Sequence, residues 1–219
     1  MNFELMQVVL FSVGMAALAT VVMLPPGIAL AWILVRRPFP GRTVLETLIS
    51  LPLVLPPVAT GLILLRLFGR RGLVGRWFDQ LGIEVIFTWK AVVLAMAVMG
   101  LPLLVRAARS GFEQVDRRYE RIAATLGANP VRVFLTISLP LARRGVMAGA
   151  VLGFSRALGE FGATVMIAGT LPGTRTLSTS IYAYTQTGQD ASATVLLVAA
   201  ALVAFAALFV SNRLSAVGL

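Results

Sequence analysis

The 219-residue sequence predicts an all-α, polytopic membrane protein, and three observations carry that expectation. Hydrophobic residues make up 58% of the chain and charged residues only 13%, where a soluble domain carries about 25%. Mean hydropathy is +0.89. Several stretches without charge exceed the roughly 18 residues that cross a bilayer as a helix. They are long unbroken runs, unlike the ~10-residue alternating segments of a membrane β-barrel.

Five spans are expected, near residues 5–35, 44–68, 85–105, 145–171 and 191–210, within a single transmembrane domain, residues 1–219. A sixth crossing would have to come from the long first run or from 131–141. The first span follows Met1-Asn2-Phe3-Glu4, which has no basic n-region, and is too long for a signal-peptide core, so a retained span is expected. Its Pro25-Pro26 pair predicts tilting, a kink or an interfacial turn. Pro52, Pro56 and Pro57 interrupt the second span, and Pro102 the third. Each proline leaves a backbone carbonyl without its helical donor, which is tolerated only where protein or a water-filled cavity satisfies it. A broken helix in a pathway and a plain kink both fit. In the fourth span Gly145, Gly149, Gly153 and Ala157 recur every four residues. They form a ridge for close helix packing, around a pore or at a subunit interface. The Thr/Ser-rich segment 170–190 reads as an outer loop, with a turn at Leu171-Pro172-Gly173.

Orientation follows from the basic residues. Arg36, Arg37, Arg42, eight arginines between 106 and 144, and Arg213 give twelve on one side. Arg66, Arg70, Arg71, Arg76, Lys90 and Arg175 give six on the other. The richer side is expected in the cytoplasm, placing the N-terminus outside and the C-terminus inside. The net charge of +10 is then loop arginine rather than a nucleic-acid footprint, so no nucleic-acid partner is expected.

The segment 106–144 is expected to be a cytoplasmic loop containing a short amphipathic helix. Asp116 is an N-cap candidate and Gly127 a C′ residue for a helix over 117–126. Tyr119, Ile122, Ala123 and Leu126 fall on one apolar stripe, with Arg117, Arg118, Glu120, Arg121 and Thr125 around the rest. Asn129 and Pro130 open a second helix after Gly127-Ala128. An isolated helix of ten residues is marginal, so it needs a surface to lie on. Anionic lipid headgroups and a partner protein are both open readings.

No chemistry is expected from this chain. Without cysteine or histidine it has no thiolate, disulfide or histidine-based site. It also lacks Gly-x4-Gly-Lys-Ser/Thr, so the power source for any pumping must lie on another chain.

Gly127, nine residues, then Ile137-Ser138-Leu139-Pro140 resembles the "EAA" loop of bacterial ABC importer permeases, E-A-A-x-x-x-G-x9-I-x-L-P. Arg121 stands at the family's Glu and Ile122 at its first Ala. Ala123 keeps the second Ala, and Glu120 lies one residue early. The blocks LPLVLPPVATG (51–61), GRRGLVGRW (69–77) and RALGEFGATVMIAGTLPGTRT (156–176) are similar to the molybdate branch of these permeases, with sulfate permeases as near relatives. The resemblance implies a type I ABC importer permease fold in a prokaryotic cytoplasmic (inner) membrane. It implies a coupling helix that engages an ATPase through Tyr119, Glu120, Ile122, Ala123, Leu126, Gly127, Ala128 and Pro130. Two cytoplasmic ATPase subunits would use ATP and Mg²⁺, and this chain would bind no cofactor or metal. An extracytoplasmic oxyanion-binding protein would deliver molybdate or tungstate. Five spans are few for a complete path, so a homodimer is expected.

Pro56, Pro57, Ser155, Arg156, Glu160 and Thr164 are the candidate path residues. Arg156 and Glu160, four apart in the fourth span, would each cost roughly 2.5–3.5 kcal/mol at a helix centre. Two roles fit the pair: a structural lock, or an arginine lining an anion path that its glutamate keeps from trapping the anion. Ser50, Thr60, Ser155, Thr164 and the Thr/Ser run 174–187 are expected to offer uncharged donors to an oxyanion. A sulfate permease and a passive anion channel remain as alternatives, although a channel has no use for a capped cytoplasmic helix.

Overall fold

The computed structural model describes residues 3–216, with side chains described through Phe209. Met1, Asn2 and the side chain of Arg213, which entered the orientation argument, lie outside the described residues. Eleven α-helices and one π-helical turn make up the described fold. Helix α1 (Phe3–Arg36) is followed by α2 (Arg42–Val54), α3 (Pro57–Phe68), α4 (Gly75–Gln80) and α5 (Trp89–Glu113). Then come α6 (Arg117–Thr125), α7 (Pro130–Val133), the π turn (Phe134–Ser138), α8 (Leu139–Leu158), α9 (Gly162–Ala168), α10 (Leu177–Gln186) and α11 (Asp190–Ala216).

Four helical stretches of the described residues are long and apolar enough to cross a membrane: Phe3–Arg36, Trp89–Glu113, Pro130–Leu158 and Asp190–Phe209. The fifth expected crossing, 44–68, is the pair α2 and α3, bent by 116° at Leu55-Pro56. Proline at 56 and 57 removes two helical donors in succession, and the helix breaks there. By contrast α1 runs through Pro25 and Pro26 as one helix of 34 residues. At 1.5 Å per residue it is ~51 Å long, and it projects beyond the hydrocarbon core.

The fourth crossing differs from the expected 145–171. It starts at Pro130, passes through the π turn, and ends at Leu158. Arg132, Arg143 and Arg144 read as loop in the sequence but lie along this stretch. Gly159 and Glu160 end it, and the chain restarts as the short α9. The expected outer loop 170–190 keeps its turn, where the Thr174 amide donates to the Leu171 carbonyl at 3.0 Å. Beyond it α10 forms, because Thr176 and Thr179 make a reciprocal capping box.

Helix α5 is the centre of the bundle, with α1 on one side and α8 on the other. From α1 it receives Ala16, Ala19, Met23, Gly27, Ala31 and Leu34, spaced three or four apart and all buried. Against α8 the two backbones almost touch. A Cβ added at Gly111 would stand 2.9 Å from the Gly145 Cα, one at Gly149 2.8 Å from the Leu104 carbonyl oxygen, and one at Gly100 2.8 Å from the Gly153 oxygen. The Gly145–Gly149–Gly153 ridge is therefore spent inside one chain, on α5. Helix α2 buries no side chain. It packs Leu45 and Ile49 against the core cluster that includes Val105, Ala108 and Phe112, and polar contacts tie it to α5, Arg109 to Glu46 at 2.9 Å and Arg106 to the Ser50 hydroxyl at 3.3 Å.

Gly149→Val should drive its side chain into the backbone of α5, with an overpacking cost of about 1–3 kcal/mol or more. Thermal unfolding in detergent should show a lowered midpoint and reduced yield. Gly14→Ala, whose new methyl meets nothing within 4 Å, should behave as wild type.

Candidate functional site: a capped hairpin and a buried helix break

The hairpin around α6 is built from its own caps. The Asp116 carboxylate accepts from the Arg118 amide at 2.8 Å and opens the helix. At its end the Ala128 amide donates to the Ala123 carbonyl and the Gly127 amide to that of Ala124, both at 3.0 Å. These are the two bonds of a Schellman motif, and they require Gly127 at φ +83°. Asn129 then accepts from the Arg132 amide at 2.8 Å, with Pro130 at the first position of α7. Sequence and structure agree here within one residue.

No residue of α6 is buried. Tyr119, Ile122 and, just past the helix, Leu126 are exposed, Leu126 at 82%. With Ala123 and with Thr136, Ile137, Pro140 and Leu141 they line an open apolar groove of about 610 Å³. Glu120, about 100° round the helix from Tyr119, turns toward the C-terminal end of α1, where Arg36 and Ser138 reach it. Neither Arg36 nor Ser138 was marked by the sequence as a functional partner. The only signal was the acid lying one residue early.

The second candidate is the break between α8 and α9. Arg156 occupies the last turn of α8 rather than mid-span, and Glu160 lies in the break itself. The guanidinium meets Glu160 Oε2 at 2.7 Å. Oε1 accepts from the Ala163 amide at 2.7 Å. Glu160 is 1% exposed and Arg156 26%, so the carboxylate is sealed while the guanidinium keeps some access to solvent. One acid therefore neutralises the arginine and satisfies an amide at the start of α9.

Two broken elements meet at this point. A Cβ at Gly162 would stand 2.7 Å from the Pro57 Cβ and 3.0 Å from the Val58 amide nitrogen; one at Gly61 would stand 2.8 Å from the Ala163 Cα. The α2–α3 break at Pro56-Pro57 and the α8–α9 break at Glu160 are thus packed together, although about a hundred residues separate them. Thr60 and Thr164 are buried there, and their hydroxyls have no hydrogen-bond partner. Ser155 spends its hydroxyl on the Val151 carbonyl at 2.9 Å. The remaining expected donors divide. Thr174, Thr176 and Thr179 are buried in bonds to their own segment, so they are structural rather than anion-facing. The capping box and the turn consume them.

The asymmetry of the pair sets an order of damage. Arg156→Ala strands a buried carboxylate, a loss on the order of 3–5 kcal/mol. Glu160→Gln leaves a partly hydrated guanidinium and keeps an acceptor for the Ala163 amide. Thermal unfolding should therefore fall further for Arg156→Ala than for Glu160→Gln, and Arg156→Met/Glu160→Gln should recover part of the loss. Equal damage in both single variants would contradict the sealed carboxylate.

The family described as binding-protein-dependent transport system inner membrane component matches residues 23–217. The molybdenum transport system permease protein ModB of Escherichia coli K12 is 46% identical over 213 residues, 95% of this chain and 93% of its own length. Its Haemophilus influenzae counterpart is 44% identical over 88% of this chain and 85% of its own length. The E. coli sulfate transport system permease protein CysT is 41% identical, but over 66% of this chain and 52% of its own. Among solved structures, a bacterial ABC transporter involved in alginate import superposes with a TM-score of 0.73 at 16% identity, covering 98% of this chain and 80% of that one. The MetNI methionine ABC transporter gives 0.66 at 15% identity, covering 98% and 99%. These two likenesses show the fold, that of type I ABC importer permeases. The family match extends from the middle of α1 into α11, across both candidate sites, and the chain belongs to the binding-protein-dependent transport system inner membrane components.

Proposed function

We propose that this chain is the transmembrane subunit of an ATP-driven importer for molybdate or tungstate. The observation that carries the ATP-driven part is the exposed apolar stripe of α6, held by caps at both ends and left uncovered by its own chain. A short helix that presents Tyr119, Ile122, Ala123 and Leu126 outward is suited to a groove in a partner. That partner is a cytoplasmic ATPase, and two of them serve a homodimer of this chain. ATP and Mg²⁺ are bound there; as a permease of its family this chain is the non-catalytic membrane component.

The fold supports the orientation. The C-terminus of α1, the C-terminus of α5, the start of α8 and the whole of α6 gather at one end of the bundle with most of the arginines. That end is cytoplasmic, and the N-terminus is outside, in a multi-pass inner-membrane arrangement. The opposite end carries α4 and the turn before α10, where an extracytoplasmic binding protein delivers its anion.

The path runs beside the paired breaks at Pro56-Pro57 and Glu160, contributed by both copies. Its one cation there, Arg156, is already matched by Glu160, so a dianion is passed along rather than held. Substrate choice then rests mainly with the binding protein. Molybdate is favoured because the molybdenum permeases align along nearly the whole chain. The partial match to a sulfate permease supports sulfate as the second reading.

Three outcomes test this reading. A P-loop ATPase should co-purify with the chain at one to one, and Ala123→Asp should keep ATP hydrolysis while lowering uptake at least tenfold. With no native cysteine, Arg118→Cys should label with an impermeant thiol reagent only after permeabilisation and Thr170→Cys from outside. Reconstituted uptake with the cognate binding protein should favour molybdate or tungstate over sulfate. Uptake that proceeds without ATP would turn the reading to a passive channel, and a wide preference for sulfate would move it to the second reading.

A further inference from the structure

We infer that Glu120 is a positioning residue that joins α6 to α1, so that movement of the docked helix is passed to α1 as well as to α5 and α8. The inference rests on the reading of α6 as the ATPase-docking helix. It also gives a role to the acid that stands one residue away from the family's usual position.

Four contacts make the joint. Arg36 Nε, in the last turn of α1, donates to Glu120 Oε1 at 2.9 Å, and its Nη2 donates to the Val115 carbonyl at 3.0 Å. Arg117 Nη2, at the start of α6, donates back to the Val35 carbonyl at 2.8 Å. The Ser138 hydroxyl donates to the same Glu120 Oε1 at 2.7 Å. Each helix thus sends an arginine to a backbone carbonyl of the other's segment, and one carboxylate ties in the π turn.

These are not loose surface pairs. The Arg36 and Glu120 side chains are 8% and 17% exposed, although α6 as a whole buries nothing. Exposed ion pairs contribute little because water screens them and two long side chains lose freedom. A half-buried pair with extra hydrogen bonds on both partners holds a fixed geometry, and removal of one partner is costly. The stripe of Tyr119, Ile122 and Leu126 faces outward while Glu120 faces inward on the same helix. Docking and anchoring therefore act on adjoining faces of one short rod, with Glu120 about 100° round the helix from Tyr119. A pull on the outer side reaches α1 through Arg36 and α8 through Ser138.

The π turn is what brings Ser138 to the acid. Pro140 has no amide hydrogen, and its ring would press on the Thr136 carbonyl in a regular α-helix. The backbone relieves this by widening one turn, and the Leu139 amide donates to the Phe134 carbonyl five residues back. Ser138 is 1% exposed in that widened turn, with its hydroxyl aimed at Glu120.

Two measurements test the joint. In the purified permease alone, hydrogen exchange of amides 117–125 should accelerate at least fivefold in Glu120→Gln, and to a lesser degree in Ser138→Ala. In the reconstituted complex, Glu120→Gln and Arg36→Gln should each retain the ATPase and its hydrolysis, while anion imported per ATP falls at least fivefold. The reversed pair, Arg36→Glu/Glu120→Arg, should recover at least half of that ratio, since the Ser138 hydroxyl can accept as well as donate. Unchanged exchange in Glu120→Gln would overturn the joint. Faster exchange with an unchanged ratio would overturn its part in coupling, as would loss of the ATPase from both single variants. Failure of the wild-type chain to hold an ATPase would sink the docking reading and the coupling role together, and the exchange result would still report whether the joint exists.

Discussion

The approach of α8 to α5 is the constraint on which the rest of the molecule depends. Gly100, Gly111, Gly145, Gly149 and Gly153 let two backbones meet where any side chain would hold them apart. In lipid there is little hydrophobic drive to bring helices together, so close packing and polar contacts must supply the association. Once α5 and α8 are locked, the segment that links them has few places to go. The hairpin of α6 and α7 must turn around at the end where α5 finishes and α8 begins, and Glu160 must fall at the opposite end of α8. Both candidate sites are therefore fixed by one helix pair.

That arrangement also explains why charge is tolerated where it is. At one end of the bundle Arg42 pairs with Glu46 within α2 and Arg109 with Glu113 within α5, while Arg109–Glu46 and Arg36–Glu120 pair across helices. The segment between α3 and α5 has its own cluster, in which Arg70 meets Glu84. Between them the described bundle holds the Arg156–Glu160 pair at the end of a helix, where a carboxylate can serve an arginine and a backbone amide together.

Local signals were legible in the sequence, and non-local ones were not. Asp116, Gly127, Asn129 and Pro130 act within four residues of themselves, so the limits of α6 and α7 could be read directly. The glycine ridge could be read as a packing face, but not which helix it would meet. The prolines near 56 left a broken helix and a plain kink both open, and the 116° bend that forms there was not legible in them. The fourth crossing was misplaced because three arginines outweighed apolar neighbours in a hydropathy reading, whereas a capped helix start at Asn129 carried through them. Thr176 and Thr179 were read as loop hydroxyls offered to an oxyanion because a capping box made of two threonines looks like a polar loop. Arg36 lies 84 residues from Glu120, and no pattern of spacing could have paired them.

The widened turn before Pro140 fixes the length of the linker more firmly than its composition. Each residue of an α-helix advances the side-chain direction by about 100°. Inserting or deleting one residue between Asn129 and Ser138 would swing the hydroxyl a quarter of the way round the helix, away from the carboxylate, and would carry Pro140 out of the turn that accommodates it. Substitutions along the outer surface of this stretch leave the phase untouched. The segment is thus open to changes of residue and closed to changes of length, an unusual state for a connection between two membrane helices, where loops ordinarily absorb insertions with little cost.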